Sequence, residues 1–213
     1  MRIVWGNTTL QSYNATTADE EGIISKSMDI LSLRLPVDEE TELRILTERD
    51  ASDLYALVDQ NRAYLCRWLP WVDATRSIED ELDFIRITQG HVARNDGFTC
   101  AIWHRGMIAG TIGYHPIDWI SRKVEIGYML APQFQGKGLM TKACRVMVNY
   151  AFTVLKLTKV EVRCATDNER SCAIPERLGF TRRRTVHNGQ WLNDRLIDLY
   201  VYGVYASEWE VSG

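Results

Sequence analysis

Between Val124 and Phe152 the chain reads VEIGYMLAPQFQGKGLMTKACRVMVNYAF, and its most chemical stretch is Gly136-Lys137-Gly138. A strand that enters a helix through such a turn leaves the first helical N–H groups without partners. Together with the helix dipole these form a site for an anion, and glycine has no Cβ to hold the anion off the backbone. From Ile126 to Val160 there are five basic residues (Lys137, Lys142, Arg145, Lys156, Lys159) and no Asp or Glu. Positive charge without competing carboxylates suits a phosphate-bearing ligand, above all a pyrophosphate. The nucleoside-triphosphate loop G-x-x-x-x-G-K-[S/T] is absent. The dinucleotide pattern G-x-G-x-x-G fails as well, because Thr141 stands at its third glycine position.

Other groups could act beside that loop. Glu125 alternates with Val124 and Ile126, so on a strand it shares the opposite face with Gly127 and Met129. A carboxylate partly buried there has a raised pKa and can take a proton from an amine; the alternative is a structural glutamate bonded to a neighbour. The demand on a base depends on the acceptor, because an α-amine of pKa about 7.7–8.0 is already partly neutral near pH 7, unlike a lysine at about 10.4. His115 and Asp118, after the preceding strand, are alternative bases. Cys172 invites an acyl-cysteine intermediate, but no nearby histidine accompanies it. Trp68 and Trp71 flank Leu69-Pro70, as core residues or as part of a flap. The acids Asp73, Glu79, Asp80, Glu81 and Asp83 either attract a basic acceptor or form a solvated helix face.

The elements that must position these groups follow from periodicity. Ile30–Leu35 and Leu43–Leu46 read as strands around a turn at Pro36 to Thr41, and Thr47 starts a helix. Ser77-Ile78-Glu79-Asp80 has the order of a capping box. Strands are expected over Phe98–Trp103, Met107–Tyr114 and Lys123–Leu130. A helix over Leu139–Val154 and a parallel strand over Lys159–Ala165 complete one β-α-β unit. A short helix is expected from Ser171, its cap, to Gly179, with Pro175 among the unpaired first amides. A hairpin of Thr181–Val186 with Leu196–Tyr205 closes the chain. The class is α+β: a mixed, mostly antiparallel sheet with one crossover. Residues 1–27 read as a loosely attached extension and residues 28–213 as a single domain.

Composition narrows the function. The 213 residues carry net charge -3 with a pI near 5.8, which gives no global attraction to nucleic acid or an anionic membrane. Five scattered cysteines without a C-x-x-C pair fit a reducing cytosol and no zinc site. Without a membrane-spanning run or a signal-peptide pattern, the cytoplasm is the expected location.

Gln133-x-x-Gly136-x-Gly138, between Glu125-Ile-Gly-Tyr and a helix, resembles the acetyl-coenzyme A loop of the Gcn5-related N-acetyltransferases (GNAT). Asn168-x-x-Ser171 and Glu176-Arg-Leu-Gly-Phe180 are similar to the second half of that family's signature. Arg67-Trp-Leu-Pro-Trp71 and Ser207-Glu-Trp-Glu210 resemble its ribosomal-protein serine/alanine N-terminal acetyltransferase branch. The resemblance implies a V-shaped splay between the strands at Lys123–Leu130 and Lys159–Ala165, with the pantetheine arm in the opening. Acetyl-CoA, with no metal, would be held by Gln135, Gly136, Lys137, Gly138, Leu139, Met140 and Thr141. A backbone N–H near Met129 or Leu130 would hold the thioester oxygen. It further implies Asn168 as a pantetheine ligand, or a cap of the short helix, and Ser171 as proton donor to the departing thiolate. Trp68, Trp71 and His115 would border the acceptor. Acetyl would pass directly, in a ternary complex, to a primary amine, a ribosomal protein N-terminus above all. The rivals are a small amine (polyamine, amino acid or aminoglycoside) and a coenzyme A-binding regulator without catalysis. No nucleic-acid or membrane partner is expected, and a homodimer is compatible with this reading.

Overall fold

A computed structural model describes residues 30–210; the extension expected over residues 1–27, and its boundary at Met28, lie outside the described residues. The strands are β1 Arg34–Asp38, β2 Thr41–Ile45, β3 Thr99–His104, β4 Met107–Tyr114, β5 Lys123–Leu130, β6 Lys159–Ala165, β7 Thr181–Leu192 and β8 Arg195–Tyr205. They form one sheet in the order β1-β2-β3-β4-β5-β6-β8-β7. All neighbours are antiparallel except β5 and β6. The helices are α1 Ala51–Gln60, α2 Arg62–Leu65, α3 Ile78–Ala93, α4 Leu139–Thr153 and α5 Glu169–Arg177. This is the expected α+β class with a single crossover, β5-α4-β6.

Local chemistry explains the borders. Ser77 Oγ accepts from Asp80 N at 3.3 Å while Asp80 Oδ2 accepts from Ser77 N at 3.0 Å, the reciprocal cap read from the sequence. Along α4, Leu139, Met140, Ala143, Cys144, Met147, Val148 and Ala151 are buried, a stripe of helical period that packs on the sheet. The Tyr114 hydroxyl of β4 donates to Met147 O, which places α4 on the face of Tyr114. Phe84, Thr88 and His91 of α3 lie over Thr111, Gly113 and Gly127, on the other face.

Two expectations change. Ile30–Ser32 is a 3-10 turn rather than part of a strand, and β1 runs through Pro36, which pairs with Glu42. Proline is tolerated there because β1 is an edge strand, whose outward N–H needs no partner. The chain reverses at Glu39-Glu40, where Asp38 Oδ1 accepts from Glu40 N at 3.1 Å. The short helix α5 begins at Glu169, two residues earlier than expected. Its cap is Asn168, not Ser171, with Asn168 Oδ1 accepting from Ser171 N at 3.2 Å. Pro175 therefore sits inside the helix.

The parallel ladder is short. β5 and β6 pair from Lys123↔Lys159 to Ile126↔Val162 and then part. Beyond that point β5 stays bonded to β4 as far as Leu130↔Gly110, and β6 to β8 as far as Ala165↔Leu199. Each strand follows its antiparallel neighbour, and a V-shaped gap opens between them.

Candidate active site

The gap leads into a cleft of about 860 Å³. Its walls include Tyr128, Met129 and Leu130 of β5, Gln135, Gly136 and Gly138 of the turn, the first turn of α4 through Lys142, and Asn168, Ser171 and Arg177 of the α5 region. Gly136 and Gly138 have φ of +76° and +74°, which non-glycine residues rarely adopt, and a Cβ at either would meet nothing within 4 Å. The turn is therefore open. Gly138 is the N-cap of α4 and provides no side-chain cap. The first intrahelical bond here runs from Lys142 N to Gly138 O, so the N–H groups of Leu139, Met140 and Thr141 have no helical acceptor.

One electrostatic expectation changes. The loop is free of acids only along the chain: Asp38 of β1 reaches Lys142, with Oδ2 at 2.8 Å from Nζ. That hydrogen bond holds the Asp38 carboxyl down at about 2. Lys142 is thus paired with a carboxylate, while Lys137 is exposed and does not line the cleft.

Backbone alternation decides which amides face the gap. His115 N donates to Glu125 O and Ala131 N to Ala109 O; odd-numbered residues of β5 therefore turn their main-chain groups to β4. Met129 N–H is engaged in that ladder, while Tyr128 and Leu130 direct theirs to the gap. Of the two residues expected to offer an amide, Leu130 turns its N–H to the gap and Met129 turns its own to β4. The Leu130 carbonyl, without a β6 partner here, accepts from Gln135 Nε2 at 3.0 Å. Gln135 also bonds Tyr64 of α2, while its Oε1 accepts from Arg170 Nη1 at 2.8 Å. One amide thus joins α2, the end of β5 and α5.

Glu125 and Ser171 lie on opposite faces of the sheet. Glu125 is on the α3 side, with Arg163 Nε at 2.9 Å from Oε2 and His115 Nε2 at 4.0 Å from Oε1. Burial pushes its carboxyl up to about 7, against the opposing pull of Arg163. Burial also lowers His115 to about 4, helped by Arg163 and His91, so that imidazole is neutral near pH 7. Gly127 leaves room for the ring, since a Cβ there would lie 2.8 Å from His115 Nε2. On the α5 side, the single Ser171 Oγ proton has two acceptors in reach, Cys164 Sγ at 3.3 Å and the Tyr128 hydroxyl oxygen at 3.4 Å. Asn168 uses Oδ1 in the cap, which leaves Nδ2 to donate to a ligand.

Trp68 lines the cleft, whereas Trp71 packs on the core; neither Glu125 nor His115 lines it. Asp118 is a turn residue whose Oδ1 accepts from Ser121 N, and Cys172 is buried outside the cleft wall. Most of the acids near the flap have structural tasks: Asp80 caps α3, Glu81 is buried, Asp83 pairs with Arg86 and Asp73 accepts from Cys66. The sequence reading missed Tyr64, Tyr128, Arg163 and Arg170. Tyr128 alone had a local signal, as an even-numbered strand residue facing away from Glu125.

Comparison with known proteins matches this architecture. The family model of the acetyltransferase (GNAT) domain covers residues 41–181. YdaF of Bacillus subtilis (strain 168) is 35% identical over 175 residues, 82% of this chain and 96% of that protein. The ribosomal-protein-serine acetyltransferase of Escherichia coli (strain K12) is 26% identical over 171 residues, 79% of this chain and 94% of that protein. The solved structure of RimL, a ribosomal L7/L12 alpha-N-protein acetyltransferase in complex with coenzyme A, superposes with a TM-score of 0.79. It is 25% identical, covering 81% of this chain and 98% of that one. The split strands, open glycine turn and uncapped α4 amides thus occur in a chain matched along most of its length, and it belongs to the GNAT acetyltransferases, a family of acyltransferases.

Proposed function

We propose that the chain moves acetyl from acetyl-CoA directly to the α-amine of a protein N-terminus of the ribosomal kind, within a ternary complex. One observation carries this reading: Glu125 and Ser171 stand on opposite faces of the sheet beside the gap between β5 and β6. The coenzyme's diphosphate meets the free amides of Leu139, Met140 and Thr141, and its pantetheine arm follows the gap, where Asn168 Nδ2 can donate to it. The amine approaches from the Glu125 side. Its nitrogen bonds to the thioester carbon as the C–S bond breaks, and Glu125, directly or through a water, takes the amine proton. The carbonyl oxygen faces the N–H of Leu130 or Tyr128. Ser171 Oγ–H hydrogen-bonds the departing thiolate. A thiol of pKa about 8.5 needs little help to leave, and an α-amine needs only a modest base. The activities named for RimL and for the ribosomal-protein-serine relative support an N-terminal acceptor.

The test is thiol release from acetyl-CoA with peptides that begin with serine or alanine, beside N-blocked lysine peptides and spermidine. Faster turnover of the free N-terminal peptides is expected. Preference for spermidine would move the assignment to small amines, and no turnover with any amine would overturn catalysis.

A further inference from the structure

Pro175 removes a hydrogen bond from α5, and another element replaces it. In a regular helix the N–H of residue 175 would donate to the carbonyl of residue 171, and proline has none. The Tyr128 hydroxyl, reaching from β5, donates to Ser171 O at 3.1 Å. The same hydroxyl oxygen lies 3.4 Å from Ser171 Oγ, whose other acceptor is Cys164 Sγ at 3.3 Å. Tyr128 and Ser171 both line the cleft, from its two sides.

We propose that Tyr128 is a positioning residue: by holding the carbonyl that Pro175 leaves free, it pins the first turn of α5 to β5 across the gap and aims the Ser171 hydroxyl at the coenzyme's sulfur. This rests on the reading of Ser171 given above. The Tyr128 proton is committed to the main-chain carbonyl of Ser171, 3.1 Å away. Tyr128 is therefore not the proton donor itself. Cys164 Sγ is a weak acceptor, so an arriving coenzyme sulfur displaces it readily from Ser171 Oγ. When the C–S bond breaks, the electron pair stays on sulfur. As the Oγ proton moves to it, a water donates a proton to Oγ in its place, and the proton that Glu125 took from the amine passes to the hydroxide so formed, leaving amide and free thiol.

The experiment compares Tyr128→Phe, Ser171→Ala, Pro175→Ala and their pairwise combinations, using acetyl-CoA and the fastest acceptor of the panel above. Loss of one hydrogen bond in Tyr128→Phe should lower kcat about tenfold, with KM for acetyl-CoA little changed. In the Ser171→Ala background Tyr128→Phe should cost nothing further. Adding Pro175→Ala restores a main-chain donor to Ser171 O, so Tyr128→Phe/Pro175→Ala should return to within about threefold of Pro175→Ala alone. Should Tyr128→Phe by itself not fold, this last comparison still decides: recovery supports the positioning role, and a persisting tenfold loss overturns it. Full speed in Tyr128→Phe, or the same loss with and without Ser171, overturns the Tyr128 role alone. Full speed in Ser171→Ala overturns the Ser171 role and this one with it.

Discussion

Glu125 is subject to opposing influences, and its pH behaviour follows from them. Burial raises the carboxyl to about 7 while Arg163 draws it down; only the charged form can accept a proton, so turnover should rise as pH passes upward through about 7. Glu125→Gln is expected to lower kcat roughly 100-fold, at the low end for a general base. The remaining pH dependence should follow the acceptor amine alone, and an unchanged pH–rate profile would remove Glu125 as base. Ser171 and Asn168 separate cleanly, because the cap belongs to Asn168 Oδ1 and the Ser171 backbone N–H. Asn168→Ala should cost about 1 kcal/mol, a loss of about 2–4 °C in Tm. Ser171→Ala keeps that bond and should slow turnover at nearly unchanged Tm. A fall in Tm as large as that of Asn168→Ala would return Ser171 to a structural role.

At the scale of elements, the turn before α4 was legible because its chemistry is local. Two glycines at positive φ, a following apolar stripe and the lack of acids from Ile126 to Val160 all lie within one stretch of chain. Gly136→Val should raise the Kd for coenzyme A and also strain the turn, since a β-branched residue at φ +76° costs about 1–2 kcal/mol or more. Unaltered affinity by calorimetry would show that the diphosphate lies elsewhere. The start of α5 was less legible: both Asn168 and Ser171 are good caps by residue type. Only the bond between them shows that Asn168 caps the helix and Ser171 forms part of its first turn. Pro36 misled for a related reason, since a proline ends a central strand but not an edge strand, and one sequence does not show where the edge lies.

For the molecule as a whole, binding at the gap should stabilise the fold. Coenzyme A at 100 times its Kd adds about 2.7 kcal/mol, equivalent to about 5–10 °C in Tm for a domain of this size. Thermal scans with and without coenzyme A check this, and an absent shift would count against the cleft as its site.

What the sequence alone determined were the features that neighbours along the chain encode: strand alternation, the α4 stripe, the Ser77 capping box, the glycine turn and the opposite facing of Glu125. Tertiary structure decided the rest. It parted β5 from β6 after Ile126, and brought Asp38 to Lys142, Arg163 to Glu125, and Tyr128 to the carbonyl freed by Pro175. Those pairs are separated by 38 to 104 residues along the chain, and no short-range periodicity records them. They meet because each strand is bound to its own antiparallel neighbour, and the side chains near the gap take the partners that arrangement leaves within reach.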